Sequence, residues 1–540
     1  MIRYFISVFL TLYVYYLALV IRLKSKIMKY LTSLLLFICL LASQGIAQTT
    51  ITLHADEGEY TISRHIYGHF SEHLGHCIYG GFYVGEDNKM IPNQRGIRTD
   101  VVNALKELEI PNLRWPGGCF ADTYHWKDGI GPKSDRPKIV NTWWGGVTED
   151  NSFGTHEFLD LCEQLGTEPF ISGNVGSGTV QELSDWVQYI NFNGESPMAE
   201  LRKTNGREEP WKVKYWGVGN EAWGCGGNMR VEHYVDVYRK YATFMNARWG
   251  DERIFRIASG PSDDNYHWTE VLMRDIPHQL MQGIGMHHYS VINWNKKSSA
   301  TEFSEEEYAV TMQKAYDMER IIRGHSAVMD QYDADRRVAL VVDEWGGWYD
   351  VEPGTNPGFL FQQNTMRDAM IAGMTLNIFN NHADRVRMAN LAQTVNVLQA
   401  VVLTDGEKML LTPTYYVMDM YKAHHDATLI PAKIHTVDYT LEGKSIPAVS
   451  VSASKKENGT LTISLVNVDS RSAQPVSIDL RGMHAQGVQG QILQAAKLQA
   501  HNTFDQPEGV HPASYNGAKL DGDQITLTMP PFSVIVLSVR

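Results

Sequence analysis

The chain has few cysteines, and they form no pattern that a metal or redox centre needs. Five occur in 540 residues, none in a C-x-x-C spacing, so a structural zinc site has no support. No G-x-G-x-x-G follows an early strand-like run, which removes the usual nucleotide-binding use of an open α/β sheet. Positive charge is also scarce. Lys and Arg number 48 against 61 Asp and Glu, a formal charge of −13. Arg3, Arg22, Lys24, Lys26 and Lys29 lie in the first 48 positions, which hold no acidic residue, so the rest of the chain is more acidic still. Phosphate binding is driven by Lys and Arg, so nucleic acid and anionic lipid are excluded as main partners. Internal repeats and low-complexity linkers are absent. What is present is ordinary globular usage, 43% hydrophobic and 20% charged, over a length that suits two domains. The 13 Trp and 26 Tyr suit flat sugar rings, although a large barrel core also absorbs many aromatics.

The N-terminus reads as an address. Two apolar runs, Tyr4–Ile21 and Leu31–Ala42, flank the basic stretch Arg22–Lys29. Met28-Lys29-Tyr30, the second run and Gly45-Ile46-Ala47 have the layout of a secretory signal, with cleavage expected after Ala47 and a periplasmic or secreted product. The first run is about long enough to span a bilayer. A second start at Met28 makes residues 1–27 read as a start-site artefact; a retained anchor, the chain's one route to a membrane, is the alternative. Cys39 lacks the small-residue pair of a lipoprotein signal. The four remaining cysteines, Cys77, Cys119, Cys162 and Cys225, permit three pairings, among which sequence does not choose. A Cys77–Cys119 bridge between neighbouring strand ends is one option.

From about residue 66 to 425, short apolar runs alternate with amphipathic stretches. Eight strands are expected: Ile66–Phe70, Asn112–Trp115, Phe170–Val175, Lys214–Gly219, Arg256–Gly260, Gly283–His288, Val338–Val342 and Thr375–Phe379. Between them Phe158, Leu161, Cys162 and Leu165 follow helical spacing, as nearly do Tyr234, Val237, Tyr238, Tyr241 and Met245. Eight βα units predict an α/β fold built on a (β/α)8 TIM barrel, over residues 66–430. After about Pro431 the period becomes two: Leu461, Ile463 and Leu465 alternate with Thr462 and Ser464, and Ile525, Leu527 and Met529 repeat the pattern. This predicts a C-terminal all-β sandwich, jelly-roll-like, over 431–540. The strand-like Ile51–Leu53 and Tyr60–Ile62, within 48–65, are expected to complete it.

Barrel enzymes carry their chemistry at the C-terminal ends of strands. The fourth expected strand runs into Asn220-Glu221 and the seventh into Asp343-Glu344-Trp345. A Glu ending an apolar strand is costly unless its carboxylate faces a polar pocket. Two such residues, three strands apart, project into one cavity from opposite sides. Glycoside hydrolysis needs that pair: one carboxylic acid to protonate the leaving oxygen and one carboxylate to attack the anomeric carbon. A structural salt bridge at the rim accounts for either Glu alone but poorly for both.

Seven ordered stretches carry a family resemblance: Gly68-His69-Phe70-Ser71-Glu72-His73-Leu74-Gly75, Leu113-Arg114-Trp115-Pro116-Gly117-Gly118, Phe153-Gly154-Thr155-His156-Glu157-Phe158, Asn220-Glu221, Met286-His287-His288-Tyr289, Asp343-Glu344-Trp345-Gly346 and Ala389-Asn390-Leu391-Ala392-Gln393-Thr394-Val395-Asn396. With these the chain resembles glycoside hydrolase family 51 of clan A, the α-L-arabinofuranosidases, from about residue 51 to the C-terminus. The resemblance implies a retaining, exo-acting enzyme that removes terminal α-L-arabinofuranosyl groups from arabinan- or arabinoxylan-type polysaccharides and oligosaccharides. It makes Glu221 the acid/base and Glu344 the nucleophile, and assigns Glu72, Asn220, Tyr289 and Gln393 to the sugar hydroxyls. It implies no cofactor and no metal, and suggests a homo-oligomer. An endo-β-1,4-glucanase or β-xylosidase of the same clan is the second reading, and a sugar-binding protein on an inactive barrel the third.

One departure concerns Cys119. Some family members carry Asn after the paired glycines; a thiol is a poor hydrogen-bond partner, although Cys variants also occur in the family. Cys119 is expected beside the sugar subsite, as a free thiol or in the bridge above. Trp345, next to the nucleophile, is expected as a pocket wall. Trp143-Trp144 read equally as sugar platforms or loop anchors. His69, His73 and His76 look ligand-like, but they end a strand rather than share a helix face, so packing and substrate contact are expected of them. Of His287 and His288 at most one faces the barrel axis, and His288 is expected to orient a neighbour. Asn458-Gly459-Thr460 reads as a turn rather than a glycosylation site.

Overall fold

Runs buried on both faces need no polar alternation, and eight of them close a parallel barrel in the computed structural model, in chain order: Gly68–Phe70, Asn112–Trp115, Glu168–Gly173, Tyr215–Val218, Phe255–Ala258, Gly283–Ser290, Ala339–Gly347 and Val386–Leu391. The structure describes residues 8, 10–24, 28–29, 48–245 and 253–540. Seven of the eight expected strands are barrel strands with ends shifted by a few residues. The eighth is a correction. Thr375–Phe379 lies inside the helix Met366–Asn381, and Val386–Leu391 closes the barrel instead. Residues 366–380 are all buried, so this helix has no polar stripe to reveal its period. The true strand hides behind Arg387 and Asn390. The expected helices form as Thr155–Leu165 and Val231–Phe244.

Inside the barrel, Phe170, Tyr215, Ile257, Ala339, Val341 and Met388 form a separate apolar plug, the layered filling that makes such a barrel a core rather than a pore. The polar residues lie beyond it, toward the strand C-termini.

The strand Thr49–His54 joins a five-stranded sheet, antiparallel to Ala432–His435 and parallel to Gln474–Arg481. Its Ile51 and Leu53 face the second sheet's Val451, Ile463, Leu465, Ile535 and Leu537 across a shared core. Tyr60–Ile62, expected as a strand, contributes only a single bridge, Thr61 to Thr428. The buried helix Met366–Asn381 links barrel to sandwich. Asn377 donates to Ser450 Oγ (3.2 Å) and accepts from Ser464 (2.7 Å), and Asn381 donates to the Val451 carbonyl (2.9 Å). Residues 49–540 make one compact unit.

Residues 10–24 are helical and their apolar side chains largely exposed. No helix among the described residues is long and apolar enough to cross a membrane. The apolar run Leu31–Ala42, Cys39 and the cleavage site after Ala47 lie outside the described residues.

Candidate active site

A buried arginine organises the centre. Arg114, on the second barrel strand, is 1% exposed and lies over the rings of Phe70 and Phe170. A guanidinium so desolvated needs charged or polar partners. Its Nη1 donates to Glu344 Oε1 (2.8 Å) and to the Asp343 carbonyl (3.2 Å), its Nη2 donates to Asn220 Oδ1 (2.6 Å), and its Nε lies 3.6 Å from Asp343 Oδ2. One cation thus ties the end of the seventh strand to the end of the fourth.

Asp343 and Glu344 are adjacent, yet both face Arg114. Strict alternation forbids this, and a bulge permits it: Gly285 and His287 of the sixth strand pair with Val341 and Glu344, so one extra residue sits on the seventh. Glu344 Oε2 accepts from the Tyr289 hydroxyl (2.7 Å). Both of its oxygens therefore meet donors. Glu221 approaches from the other side, at a positive φ of 40° after Gly219, one of the strained backbone states that can be held where a side chain must be aimed. One oxygen of Glu221, one of Glu344 and a ring nitrogen of His287 lie within 4.8 Å of one another.

His287 joins the carboxylates. Its Nδ1 is 2.9 Å from Glu221 Oε1 and 3.6 Å from Glu344 Oε2, and its Nε2 is 3.4 Å from Asp343 Oδ1. Burial alone would lower the imidazole, but the charges of Glu344 and Asp343 and the bond to Glu221 raise it to about 10. Burial raises the Glu221 carboxyl, with His287 opposing. Burial also favours neutral Asp343, yet Arg114 and His287 prevail and hold it below the ordinary carboxylate value.

A further acid, Glu72, follows the C-terminal end of the first strand. Glu72 Oε1 accepts from the Phe120 N–H (3.0 Å) and Trp144 Nε1 (2.8 Å), and its Oε2 from Gln393 Nε2 (3.0 Å). Burial, aided by Glu344, pushes Glu72 up to about 7 against those three donors. The glycine pair of the motif is needed here. A Cβ on Gly117 would stand 2.6 Å from Glu72 Cγ, and one on Gly118 3.2 Å from Glu344 Oε1. Asp122 accepts three backbone N–H groups, from Val175 (2.7 Å), Gly176 (2.8 Å) and Asn220 (2.9 Å), and so fixes the loop that carries Asn220-Glu221. Burial nevertheless raises it to about 7.

The structure thus gathers Glu72, Asn220, Glu221, Tyr289, Glu344 and Gln393 about the centre that Arg114 organises. Two expectations need correction. Trp345 is 1% exposed and packs on Phe379 of the helix behind the strand (5.3 Å), because the residue after an inward Glu344 points outward; it is no pocket wall. Cys119 is bridged to Cys225 in the loop after the fourth strand, with Cα atoms 5.4 Å apart, while Cys77 is free and buried. Trp144 serves as an anchor to Glu72, and Trp143 is half-exposed. His73 stacks on Phe120 (4.7 Å) and accepts from Trp115 Nε1 (3.2 Å); His69 is buried and held neutral by desolvation. His288 points away from the axis, to Asp263 (2.6 Å) and the Lys314 carbonyl (2.8 Å). Arg114, Asp122 and Asp343 were not singled out by sequence, and His287 was weighed only as one of a pair of which at most one faces the axis. Arg114 carried a signal, as a charge within a short apolar strand. Asp122 carried none, since its role is made by backbone N–H groups.

Two family models match in order, "Alpha-L-arabinofuranosidase 1 domain" over residues 104–308 and "Alpha-L-arabinofuranosidase C-terminal domain" over 343–533. A protein of Bacteroides ovatus named "Intracellular exo-alpha-L-arabinofuranosidase" is 52% identical across 91% of this chain and 95% of its own. The crystal structure of the GH51 arabinofuranosidase from Xanthomonas axonopodis pv. citri is 48% identical, covers 91% of this chain and 100% of its own, and superposes with a TM-score of 0.90. The chain belongs to the α-L-arabinofuranosidases of glycoside hydrolase family 51. The arabinose complex of the Thermotoga maritima α-L-arabinofuranosidase is 32% identical over 91% of this chain and 99% of its own, with a TM-score of 0.80. This family 51 chain is a glycoside hydrolase whose substrates contain arabinose. One expectation is overturned: with so similar a relative named intracellular, the periplasmic or secreted location and the cleaved signal do not stand.

Proposed function

We propose that Glu221 is the acid/base and Glu344 the nucleophile of a retaining, exo-acting α-L-arabinofuranosidase. The observation that carries this reading is the short reach between the two carboxylates, with an oxygen of each within 4.8 Å. Retaining glycosidases hold the pair about 5–5.5 Å apart, whereas inverting ones need about 6.5–9.5 Å to admit a water. Glu344, held by Arg114 and Tyr289, attacks the anomeric carbon. Glu221, raised by burial, keeps its proton for the leaving oxygen. Once Glu344 is esterified its charge is gone, the carboxyl of Glu221 becomes more acidic, and the same group deprotonates the incoming water. His287 holds Glu221 Oε1 throughout, leaving Oε2 to carry the proton.

Glu72, Asn220, Tyr289 and Gln393 face the sugar hydroxyls. Gln393 supports this with a buried Oε1 that has no partner in the protein. Terminal arabinofuranosyl groups of plant-type arabinan or arabinoxylan fragments are the substrates that fit this reading, and the name of the Bacteroides ovatus relative supports both exo action and work inside the cell. The test is a panel of nitrophenyl glycosides on the purified chain. The α-L-arabinofuranoside should be the preferred substrate by far; preference for the β-D-xyloside or β-D-glucoside would overturn the specificity, and hydrolysis of none would leave a binding protein.

A further inference from the structure

The Cys119–Cys225 bridge lies against the acid/base. Cys225 Sγ is 3.5 Å from Glu221 Oε2, the oxygen that His287 leaves open, and 3.8 Å from Asn220 Nδ2. The two sulfurs and a Glu221 oxygen all lie within 4.8 Å of one another, and all three residues are partly exposed. Two thiolates and one carboxylate make a donor set for a zinc-like ion, softer than calcium or magnesium sites use. Cys77 and Cys162 do not compete. Both are buried, and burial pushes the Cys77 thiol up to about 12 and raises Cys162 as well.

We propose that Cys119, Cys225 and Glu221 form a redox-gated inhibitory site for a thiophilic divalent cation, open only when the bridge is reduced. A dithiol reductant supplies two electrons and two protons. Its own thiols become a disulfide, the Cys119–Cys225 bond breaks, and each sulfur takes one proton. The cation then binds both sulfurs and releases those two protons to solvent, with Glu221 Oε2 as third ligand and water as fourth. Two sulfurs on one tetrahedral zinc stand about 3.8 Å apart, given Zn–S bonds of about 2.3 Å. Side-chain rotation supplies that separation across a Cα–Cα distance of 5.4 Å. A carboxylate on a metal cannot carry the proton for the leaving group, so occupancy stops hydrolysis. This consequence rests on the role proposed for Glu221, and the gate matters because a reducing cell interior keeps thiols unpaired.

Cadmium is the probe, since its thiolate complexes absorb in the ultraviolet by charge transfer. The full chain is titrated with cadmium chloride before and after reduction by a dithiol that is then removed, while absorbance and arabinofuranoside hydrolysis are followed. The expected result is one cadmium per reduced chain with a thiolate band, loss of hydrolysis that a chelator restores, and neither effect while the bridge is intact. Cys225→Ser should lose the band. Absence of the band from the reduced chain, its presence with the bridge intact, or its retention in Cys225→Ser would overturn the site. A full band with undiminished hydrolysis would overturn Glu221 as the third ligand and with it the inhibitory gate, whereas failure of the acid/base reading itself shows separately, as an equal loss of Glu221→Ala activity on good and poor leaving groups.

Discussion

Arg114 and His287 are the cationic groups that contact the carboxylates Glu221, Asp343 and Glu344, and they treat these acids unequally. Glu344 faces donors at both oxygens, while Glu221 shares one oxygen with His287. Replacing Glu221 by Ala removes proton transfer but not the nucleophile. The expected loss in kcat/KM is about 10²–10⁴-fold for arabinosides with poor leaving groups, and much less for a dinitrophenyl arabinoside that leaves unaided. An equal loss on both would contradict the role. Glu72 makes a separate prediction about stability. Its folded value of about 7 lies above the 4.5 of a free glutamate, so the native state binds more protons between those pH values. Its contribution is complete below about pH 4.5 and fades as pH rises through 7. Urea unfolding of Glu72→Gln should lack that decline, a difference of order 3 kcal/mol at most. At this scale much of the site was legible, because Glu221 and Glu344 sit where apolar runs stop. Asp343 was not, since a bulge that turns two neighbours to one side breaks the period from which facing is read, and alternation alone left open which of His287 and His288 faces the axis.

Among the elements, the helix Met366–Asn381 explains both what was misread and what holds the barrel to the sandwich. A segment buried all round offers no face to a periodicity argument, and Thr375-Leu376-Asn377-Ile378-Phe379 passes for a strand. Strands with regular neighbours, such as Asn112–Trp115 and Leu461–Asn467, were readable to within a few residues. On this helix Gly373 allows the sandwich to come close. A Cβ there would stand 2.9 Å from Val466 Cγ2 and 3.4 Å from Val534 Cγ2. Gly373→Val should therefore overpack the junction and cost about 1–3 kcal/mol, seen as a lower denaturant midpoint. An unchanged midpoint would mean that the two layers are not tightly packed there.

The whole molecule from 49 to 540 is one compact unit in which the N-terminal strand is shared with the last sheet, so barrel and sandwich should unfold together. The sequence offers a clean probe, since every Trp lies between 115 and 348 and none in the sandwich. Tryptophan emission, which follows the barrel, and far-ultraviolet dichroism, which follows both parts, should give coincident transitions; a separate phase in one signal would contradict a single cooperative body. That body sets the seventh strand three places from the fourth and brings an oxygen of Glu344 within 4.8 Å of one of Glu221. The most direct test of this placement is the anomeric configuration of the first arabinose released, followed by proton NMR before mutarotation. Double displacement predicts α-L-arabinofuranose first, and release of the β-anomer first would contradict the account.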